Sequence, residues 1–415
     1  MKLSLSQAAE VRLGRQRAPQ YQDGEHLVPY LRSANITDGR LDLTDVKSMN
    51  FTPEEQVIFQ LREGDVLVTE GSGSRDTVGA SAVWRNEIDP PVCFQNTLLR
   101  LRPREGLTDG GYLAWWARHA HGSGQIAAVS SGANILHIGS DGLKRLDLRL
   151  PDLPTQRRIA DFLDDRVTRI DRIVAARRKQ VDEVDATVWA QFSRRLERSG
   201  ADWAPLRRAV ASIADGPFGS AFSSSDYVDS GPAVIRLGNI GFAEFRARAI
   251  ARIPGEIFDR FPNAHVRPGD LLIASLGDAR NHAGRACLAP RGLGPAMVKG
   301  KCFVARTANN VADPSYLAAL LSSPVGAEQL VAQGTGATRS MLNFDRLLST
   351  RLPLPDLPEQ RRIADAFATE RHDARRFSAE LTRSADLLTE YKASLITAAV
   401  TGELDVTTAS SGIPG

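Results

Sequence analysis

Two segments of the chain repeat apolar residues at alternating steps of four and three, the spacing of a helix that pairs with another helix. The first segment contains no proline or glycine from residue 155 to residue 199, and the second contains none from residue 359 to residue 401. Arg177, Glu370 and Ser384 interrupt the pattern. At about 1.5 Å per residue, each helix would be roughly 60 Å long. The helix-pairing positions predicted in this way are Leu163, Val167, Ile170, Val174, Val181, Val184, Val188, Phe367, Phe377, Leu381, Leu388 and Leu395.

The regions before these two segments have a different pattern. Short β-branched and aliphatic runs such as 65–69, 270–274 and 302–305 lie between turn residues, which is typical of strands. Residues 109–120 and 313–322 indicate shorter helices. We therefore predict an α+β fold in which each mixed domain is followed by a long helix. The two long helices would pair as an antiparallel coiled coil, although each could instead pack on its own domain.

An internal repeat organises the chain. Residues 150–161 and 354–365 are identical at eleven of twelve positions and lie 204 residues apart. Weaker matches at the same spacing include Arg32 with Arg236 and Asp109 with Asp313. The chain is therefore a tandem duplication. The predicted divisions are a first domain (1–150), a central helix (151–200), a second domain (201–353), a C-terminal helix (354–402) and a tail (403–415).

Composition and motifs exclude several classes of protein. The three cysteines form no CxxC pair, which argues against a disulfide framework or a zinc site. No apolar run is long enough for a signal peptide or a membrane span, so we expect a cytoplasmic protein. Residues 89–92 (Asp-Pro-Pro-Val) lack the aromatic residue of an adenine methyltransferase motif, and Gly300-Lys301-Cys302 lacks the remainder of a phosphate-binding loop. We therefore expect no catalytic residues, no metal and no cofactor on this chain.

Charge is distributed unevenly along the chain. The formal net charge is only +3. Residues 1–150 contain 17 Lys and Arg against 18 Asp and Glu, whereas residues 201–353 contain 17 against 12. Arginine, a forked donor suited to phosphate and guanine, makes up most of the basic residues, although a genomic preference for arginine codons would have the same effect. If the chain binds a polyanion, we expect electrostatic attraction to contribute more to binding by the second domain than to binding by the first.

The duplicated Leu-Pro-Asp-Leu-Pro-x-Gln-Arg-Arg-Ile-Ala at the start of each long helix resembles the specificity (S) subunits of type I restriction–modification enzymes. The closing residues 393–406 are similar to the C-terminal conserved segment of that family. The resemblance covers the whole chain. The two long helices are not a perfect repeat of each other, because residues 188–196 of the first do not match the end of the second.

This resemblance implies a non-catalytic subunit that recognises a bipartite, asymmetric site in double-stranded DNA, one half per domain. The paired helices would define the gap and help to dock two methyltransferase (M) subunits and the motor-nuclease (R) subunits. S-adenosylmethionine and ATP with magnesium would bind to those partners. Two alternatives stay open at this point: a coiled-coil scaffold that binds only proteins, and a specificity subunit for DNA methylation alone.

The duplication also suggests which residues contact DNA. Residues that differ between equivalent loops are candidates for base recognition, whereas shared residues can only support the fold or bind phosphate. Arg75 and Arg280 are shared and lie in polar loops that could meet phosphate. With these two, the predicted DNA-binding residues are Ser72, Ser74, Arg75, Asn134 and His137 in the first domain, and Arg280, Asn281, His282, Lys299, Lys301, Arg339 and Ser340 in the second.

Overall fold

The computed structural model describes residues 1–37, 39–72, 77–132, 136–218, 221–278, 280–333 and 341–406. Within these ranges the helices are α1 (Leu5–Ala8), α2 (Pro53–Phe59), α3 (Gly110–Gly122), α4 (Gln125–Ala128), α5 (Ser140–Lys144), α6 (Leu153–Arg198), α7 (Gly255–Asp259), α8 (Pro314–Ser322), α9 (Pro324–Gln333), α10 (Phe344–Ser349) and α11 (Leu357–Thr401).

The strands of the first half are β1 (Lys2–Ser4), β2 (Ala9–Leu13), β3 (Leu27–Leu31), β4 (Ile36–Thr37), β5 (Arg40–Leu41), β6 (Lys47–Asn50), β7 (Val66–Thr69), β8 (Gly71–Ser72), β9 (Ser81–Val83), β10 (Cys93–Phe94), β11 (Leu98–Pro103), β12 (Leu136–His137) and β13 (Asp147–Arg149). Those of the second half are β14 (Trp203–Pro205), β15 (Val210–Asp215), β16 (Val228–Ile235), β17 (Ala251–Arg252), β18 (His265–Val266), β19 (Leu271–Ala274), β20 (Ala286–Leu288), β21 (Ala296–Val298), β22 (Cys302–Thr307) and β23 (Arg351–Pro353).

The chain divides into two compact units. One consists of Met1–Arg178 with Arg383–Gly415, and the other is Lys179–Thr382. Each unit thus combines one mixed domain with a part of both long helices. The predicted boundaries between sequential domains stay a prediction, because the compact units do not follow the order of the chain.

The main sheets of the two units have the same topology. In the first unit a four-stranded antiparallel sheet has the order β2-β11-β7-β9, and in the second the order is β15-β22-β19-β20. A second sheet in each unit contains one parallel pair, β3 with β10 and β16 with β21. The element that opens each domain pairs with the strand that closes it, β1 with β13 and β14 with β23. The α+β duplication predicted from the sequence is therefore confirmed.

The repeated motif at the start of α6 and α11 connects each helix to its own domain through a buried glutamine. The Gln156 side chain accepts a hydrogen bond from the backbone N–H of Asp109 and donates to the carbonyl groups of Leu107 and Pro151. In the second copy, Gln360 makes the same three bonds, to Asp313, Val311 and Pro355. Both glutamines are 0% exposed. The motif is thus explained by backbone groups that only this side chain satisfies.

In the first unit the early part of α6 packs with the late part of α11. Leu163, Val167, Ile170 and Val174 are buried in the same core as Leu395, and Leu388 packs on its edge. The Lys392 ammonium group lies 2.7 Å from the Asp171 carboxylate. An early segment of one helix therefore meets a late segment of the other, as an antiparallel pair requires.

In the second unit the late part of α6 packs with the early part of α11. Val188 and Phe192 are buried with Phe367, and the rings of Trp189 and Phe367 are 4.8 Å apart. Arg195 forms a two-pronged ion pair with Glu370, with 2.8 Å between its Nη1 and the Glu370 Oε2.

Three other predicted pairing positions in this unit vary in exposure. Leu381 is buried, whereas Val181 and Val184 are half-buried. The heptad prediction is wrong at Phe377, which is 48% exposed. Phe377 lines a surface groove together with Val184 and Val188 instead of being enclosed.

No helix of the described chain is long and apolar enough to cross a membrane.

Candidate nucleic-acid interface

The differing loops of the first domain are residues 70–77 and 132–137, and the described residues at their ends lie side by side. The N–H of Ile138 donates to the carbonyl of Glu70 at 2.8 Å, and β12 pairs antiparallel with β8. Among the predicted residues of this domain, His137 has a side chain that is 53% exposed. Its Nδ1 lies 3.1 Å from a Glu70 carboxylate oxygen. The backbone of Ser72 belongs to β8. Ser74, Arg75, Asn134 and the side chain of Ser72 lie outside the described residues.

The second domain brings together the equivalent loops. The N–H of Leu342 donates to the carbonyl of Ser275 at 2.8 Å, and Leu276 bridges Met341. In both domains, backbone hydrogen bonds therefore join described residues at the ends of the two differing loops, which in the second domain are residues 275–282 and 336–341. The predicted residues Arg339 and Ser340 lie outside the described residues.

A tight turn around Asp278 organises the exposed end of the second loop. Its carboxylate accepts hydrogen bonds from the backbone N–H groups of Arg280 and Asn281, at 2.8 and 2.9 Å, and from the Asn281 side chain at 3.1 Å. These bonds hold the pKa of Asp278 below its usual value. Asn281 is therefore engaged in shaping the turn, whereas the exposed Arg280 side chain is presented to solvent.

His282 has a different environment from the other predicted residues. It is half-buried, its Nδ1 lies 2.9 Å from the carbonyl of Ala283, and its ring packs against Phe242. Burial lowers the pKa of this imidazole. The structure therefore favours a packing role for His282 over the predicted contact with a base, because a ring held against the domain has little surface to offer DNA.

Lys299 and Lys301 line a surface cavity of 590 Å³ in the second domain, which we call the basic cavity. Its described walls also contain Pro217, Phe218, Tyr227, Arg236, Leu237, Gly238, Asn239, Arg248, Ala249 and Gly300. No aspartate or glutamate is among these residues. The cavity therefore concentrates four cationic side chains, from positions that are up to 65 residues apart in sequence.

Lys299 is held in place at the wall of the basic cavity. Its ammonium group lies 3.2 Å from the Tyr227 hydroxyl and 4.4 Å from the centre of the Phe222 ring. Cation–π contact and a hydrogen bond to a neutral group fix the position of the charge without neutralising it. The half-buried Lys299 thus retains hydrogen-bond donors for an acceptor that enters from solvent.

The first domain has a cavity of 460 Å³, which we call the first-domain cavity. It is lined by Arg17, Ala18, Gln22, Tyr30, Arg32, Ser33, Lys47, Ser48, Met49, Gln95 and Thr97. Gln95 and Thr97 lie 204 residues before Lys299 and Lys301, the spacing of the repeat. The sequence pattern did not indicate the role of Gln95, Arg236 or Arg248 in forming these cavities, although the repeat spacing connects the first of them to Lys299.

The cavities adjoin the variable loops. In the second domain the N–H of Ser275, where the loop starts, donates to the carbonyl of Lys301 at 3.0 Å. In the first domain the N–H of Glu70 donates to the carbonyl of Thr97 at 2.9 Å. In each domain a backbone hydrogen bond therefore connects a cavity residue to the first residue of a differing loop.

The described residues contain no cluster of His, Cys, Asp and Glu that could hold a metal ion. Fold and cavities together define a class: a tandem α+β protein with two equivalent but differently charged candidate surfaces and two long helices shared by both units. Surfaces of this kind suit recognition, because their polar groups are spread over loops instead of converging on a reacting atom.

Comparison with known proteins confirms the resemblance indicated by the helix motifs. The chain is 20% identical over 368 residues to the type I restriction enzyme MjaVIII specificity subunit of Methanocaldococcus jannaschii, an alignment that covers 82% of this chain and 78% of the relative. It is 27% identical over 172 residues to the EcoKI specificity subunit of Escherichia coli, which covers 41% of this chain and 35% of the relative. No protein-family model matches the chain.

Solved structures show the same fold. One matching chain comes from a structural study of complex assembly and conformational transition of the type I R-M system. It matches with a TM-score of 0.74 at 17% identity. That match covers 97% of this chain and 98% of the other. The HsdS subunit of Thermoanaerobacter tengcongensis matches with a TM-score of 0.51 at 17% identity, covering 97% of both chains. The chain thus has the fold of type I specificity subunits.

Proposed function

We propose that the chain is the DNA specificity subunit of a type I restriction–modification system, a non-catalytic subunit that recognises a bipartite site in double-stranded DNA. Each mixed domain would bind one half of the site. The observation that supports this most directly is the duplicated surface: two domains share topology and buried hydrogen bonds, whereas their loops and cavities differ in chemistry. Equivalent scaffolds with different surfaces suit the recognition of two different half-sites.

The partners follow from the same proposal. Two methyltransferase subunits and the motor-nuclease subunits would dock on the chain, with the paired helices α6 and α11 as part of the docking surface. S-adenosylmethionine would bind to the methyltransferase subunits, and ATP with magnesium to the motor subunits. The curated relatives are named as specificity subunits of such enzymes, which supports this division of labour.

The first experiment mixes the full chain with its cognate methyltransferase subunits and S-adenosylmethionine. Plasmid DNA is the substrate, and the methylated adenines are mapped by sequencing. We expect methylation only within one bipartite, asymmetric sequence, with none when the chain is omitted. Methylation without a defined sequence, or methylation that does not depend on the chain, would contradict the proposal.

A second experiment assigns the half-sites. Residues 1–150 are exchanged for the equivalent domain of a relative, and the methylated sequence is mapped again. We expect one half-site to change while the other half and its orientation are retained. A protein-only scaffold would instead give assembly with the partners and the same methylation pattern in both chimaeric and parent complexes.

A further inference from the structure

The basic cavity and the first-domain cavity are equivalent places in the two copies of the fold. The N–H of Lys299 donates to the carbonyl of Ile235 at 2.9 Å, and the N–H of Gln95 donates to the carbonyl of Leu31 at 2.9 Å. Both bonds lie just beyond a parallel strand pair, β21 with β16 and β10 with β3. The backbone hydrogen bonds therefore make Lys299 the counterpart of Gln95, independently of any sequence alignment.

Lys301 is equivalent to Thr97 by the same test. The carbonyl of Lys301 accepts from the N–H of Ser275, and the carbonyl of Thr97 accepts from the N–H of Glu70. At both positions, a neutral side chain in the first domain is replaced by a lysine in the second.

A third difference removes a negative charge. In the first domain, the Asn35 side chain donates to the carbonyl of Asp45 at 3.1 Å. The equivalent Asn239 side chain donates to the carbonyl of Arg248 at 3.1 Å. The Asp45 carbonyl also accepts from Arg32, as the Ala249 carbonyl accepts from Arg236. Arg248 and Ala249 therefore occupy the place of Asp45, and neither is negatively charged.

Asp45 forms ion pairs with two cations of the first-domain cavity. Its carboxylate lies 2.6 Å from Arg32 and 2.6 Å from Lys47. Arg236, the counterpart of Arg32, instead donates to the carbonyl of Ala249, which is uncharged. Neither cavity has a carboxylate among its described wall residues, but Asp45, beside the first-domain cavity, pairs with Arg32 and Lys47.

We propose that the basic cavity is a binding site for a backbone phosphate of DNA, and that the first-domain cavity is not. Three positions differ in the direction that favours an anion. The basic cavity has four cationic wall residues, whereas the first-domain cavity has Arg17, Arg32 and Lys47, of which the last two pair with Asp45. Lysine and arginine are donors only, which suits the charged acceptors of a phosphate. Guanine also presents two acceptors in the major groove, so the test below maps the methylated sequence as well. A concave wall of cations matches a protruding phosphate, and Lys299 is already positioned by Tyr227 and Phe222.

This inference rests on the proposed function, and its test is built from the chain's own second copy. The double variant Lys299→Gln with Lys301→Thr gives the second domain the residues that the first domain has at the same places. The full chain is assembled with its methyltransferase subunits, and affinity for a random-sequence duplex is measured across a range of salt concentrations. We expect the log–log slope to become shallower by about 0.9 for each phosphate that the variant no longer binds. The methylated sequence should not change.

Two further variants serve as comparisons. Arg260→Gln with Arg291→Gln removes two exposed charges of the same domain outside the cavity, and we expect a smaller change in slope. Gln95→Lys with Thr97→Lys installs the lysines in the first domain. The log–log slope of this variant should be equal to that of the parent complex or steeper.

Several outcomes would overturn the inference. A slope equal to that of the parent complex, or one reduced no more than in the arginine control, would show that the cavity binds no phosphate. Relaxed methylation at a single base position would show that the lysines contact a base. In each of these results the parent complex still binds and methylates DNA. If the parent complex itself shows no salt-dependent binding, the proposed function fails together with the inference.

Discussion

The Gln156 side-chain oxygen accepts a hydrogen bond from the backbone N–H of Asp109 at 2.8 Å, across 47 residues of sequence. Gln360 and Asp313 repeat the bond at 2.9 Å, again across 47 residues. Asp109 in turn caps α3, since its carboxylate accepts from the N–H of Tyr112 at 3.0 Å. The glutamine therefore joins the start of a long helix to the start of a domain helix, once in each copy.

Replacing this glutamine should destabilise the protein. Gln156→Leu leaves one N–H and two carbonyl groups buried without their partner, so we expect a loss of about 2–4 kcal/mol in the free energy of unfolding. Denaturant unfolding followed by circular dichroism measures it. Gln360→Leu should cost a similar amount, and Gln20→Leu, at an exposed position, should have little effect. A loss below about 0.5 kcal/mol for both buried variants would contradict this account.

The Arg195–Glu370 ion pair should stabilise the helix pair of the second unit. The side chains are 24% and 26% exposed, and the Glu370 carboxylate raises the pKa of the Arg195 guanidinium. A double-mutant cycle with Arg195→Ala and Glu370→Ala should give a coupling of about 1 kcal/mol, because solvent screens part of the attraction. The same cycle on the exposed pair Lys179 and Glu183 should give less, since these side chains are 77% and 59% exposed. Equal coupling in the two cycles would argue against a special role for Arg195.

His119 should make stability depend on pH. Its ring is buried between Thr397 and Gln125, and burial lowers its pKa from 6.5, partly opposed by the carboxylate of Glu403. The unfolded chain therefore binds this proton more readily, and stability should fall as pH decreases through and below about 6.5. Above that range the imidazole is neutral in both states and the effect disappears.

The variant His119→Asn tests this dependence. The difference in unfolding free energy between parent and variant should become smaller from about pH 7 to about pH 5, because only the parent loses stability through this site. The corresponding variant of the exposed His372 serves as the control. A difference that is constant with pH would show that His119 is not protonated differently in the folded and unfolded states.

The three cysteines should be inert in the folded protein. Cys93, Cys287 and Cys302 are free and buried, and burial raises the pKa of each thiol to about 12. The thiolate is the reactive species, so labelling with a thiol reagent at about pH 8 should be slow in the native state. Three equivalents should react after unfolding. Rapid reaction of one cysteine in the native protein would contradict the burial of that thiol.

The duplication and the long helices could be predicted because both are local properties of the sequence. Identity at eleven of twelve positions needs no structure to be seen, and a heptad pattern depends only on spacing along one helix. The pattern failed at Phe377, whose exposure depends on which part of α6 lies opposite. A heptad position indicates a face of a helix, whereas the partner decides how much of that face is covered.

The candidate surfaces were predicted only in part. The differing loops are visible in the sequence, and their contact through Glu70 and Ile138 follows from strand pairing that the sequence does not state. Asn281 and His282 carry polar groups suited to DNA, but one closes a turn and the other packs on Phe242. Residue type alone cannot distinguish a side chain that faces solvent from one that satisfies its own loop.

The sequence by itself determined that the chain is two copies of one α+β unit, each followed by a long helix, because repeats and periodicity are carried by neighbouring residues. Only the tertiary structure decided that Lys299 and Lys301 share a cavity with Arg236 and Arg248, and that Asp45 pairs with Arg32 and Lys47 beside the equivalent cavity of the first copy. These contacts join residues that are distant along the chain. The net charge of each cavity depends on the order of strands in the sheet, because that order brings together charged groups that no local pattern connects.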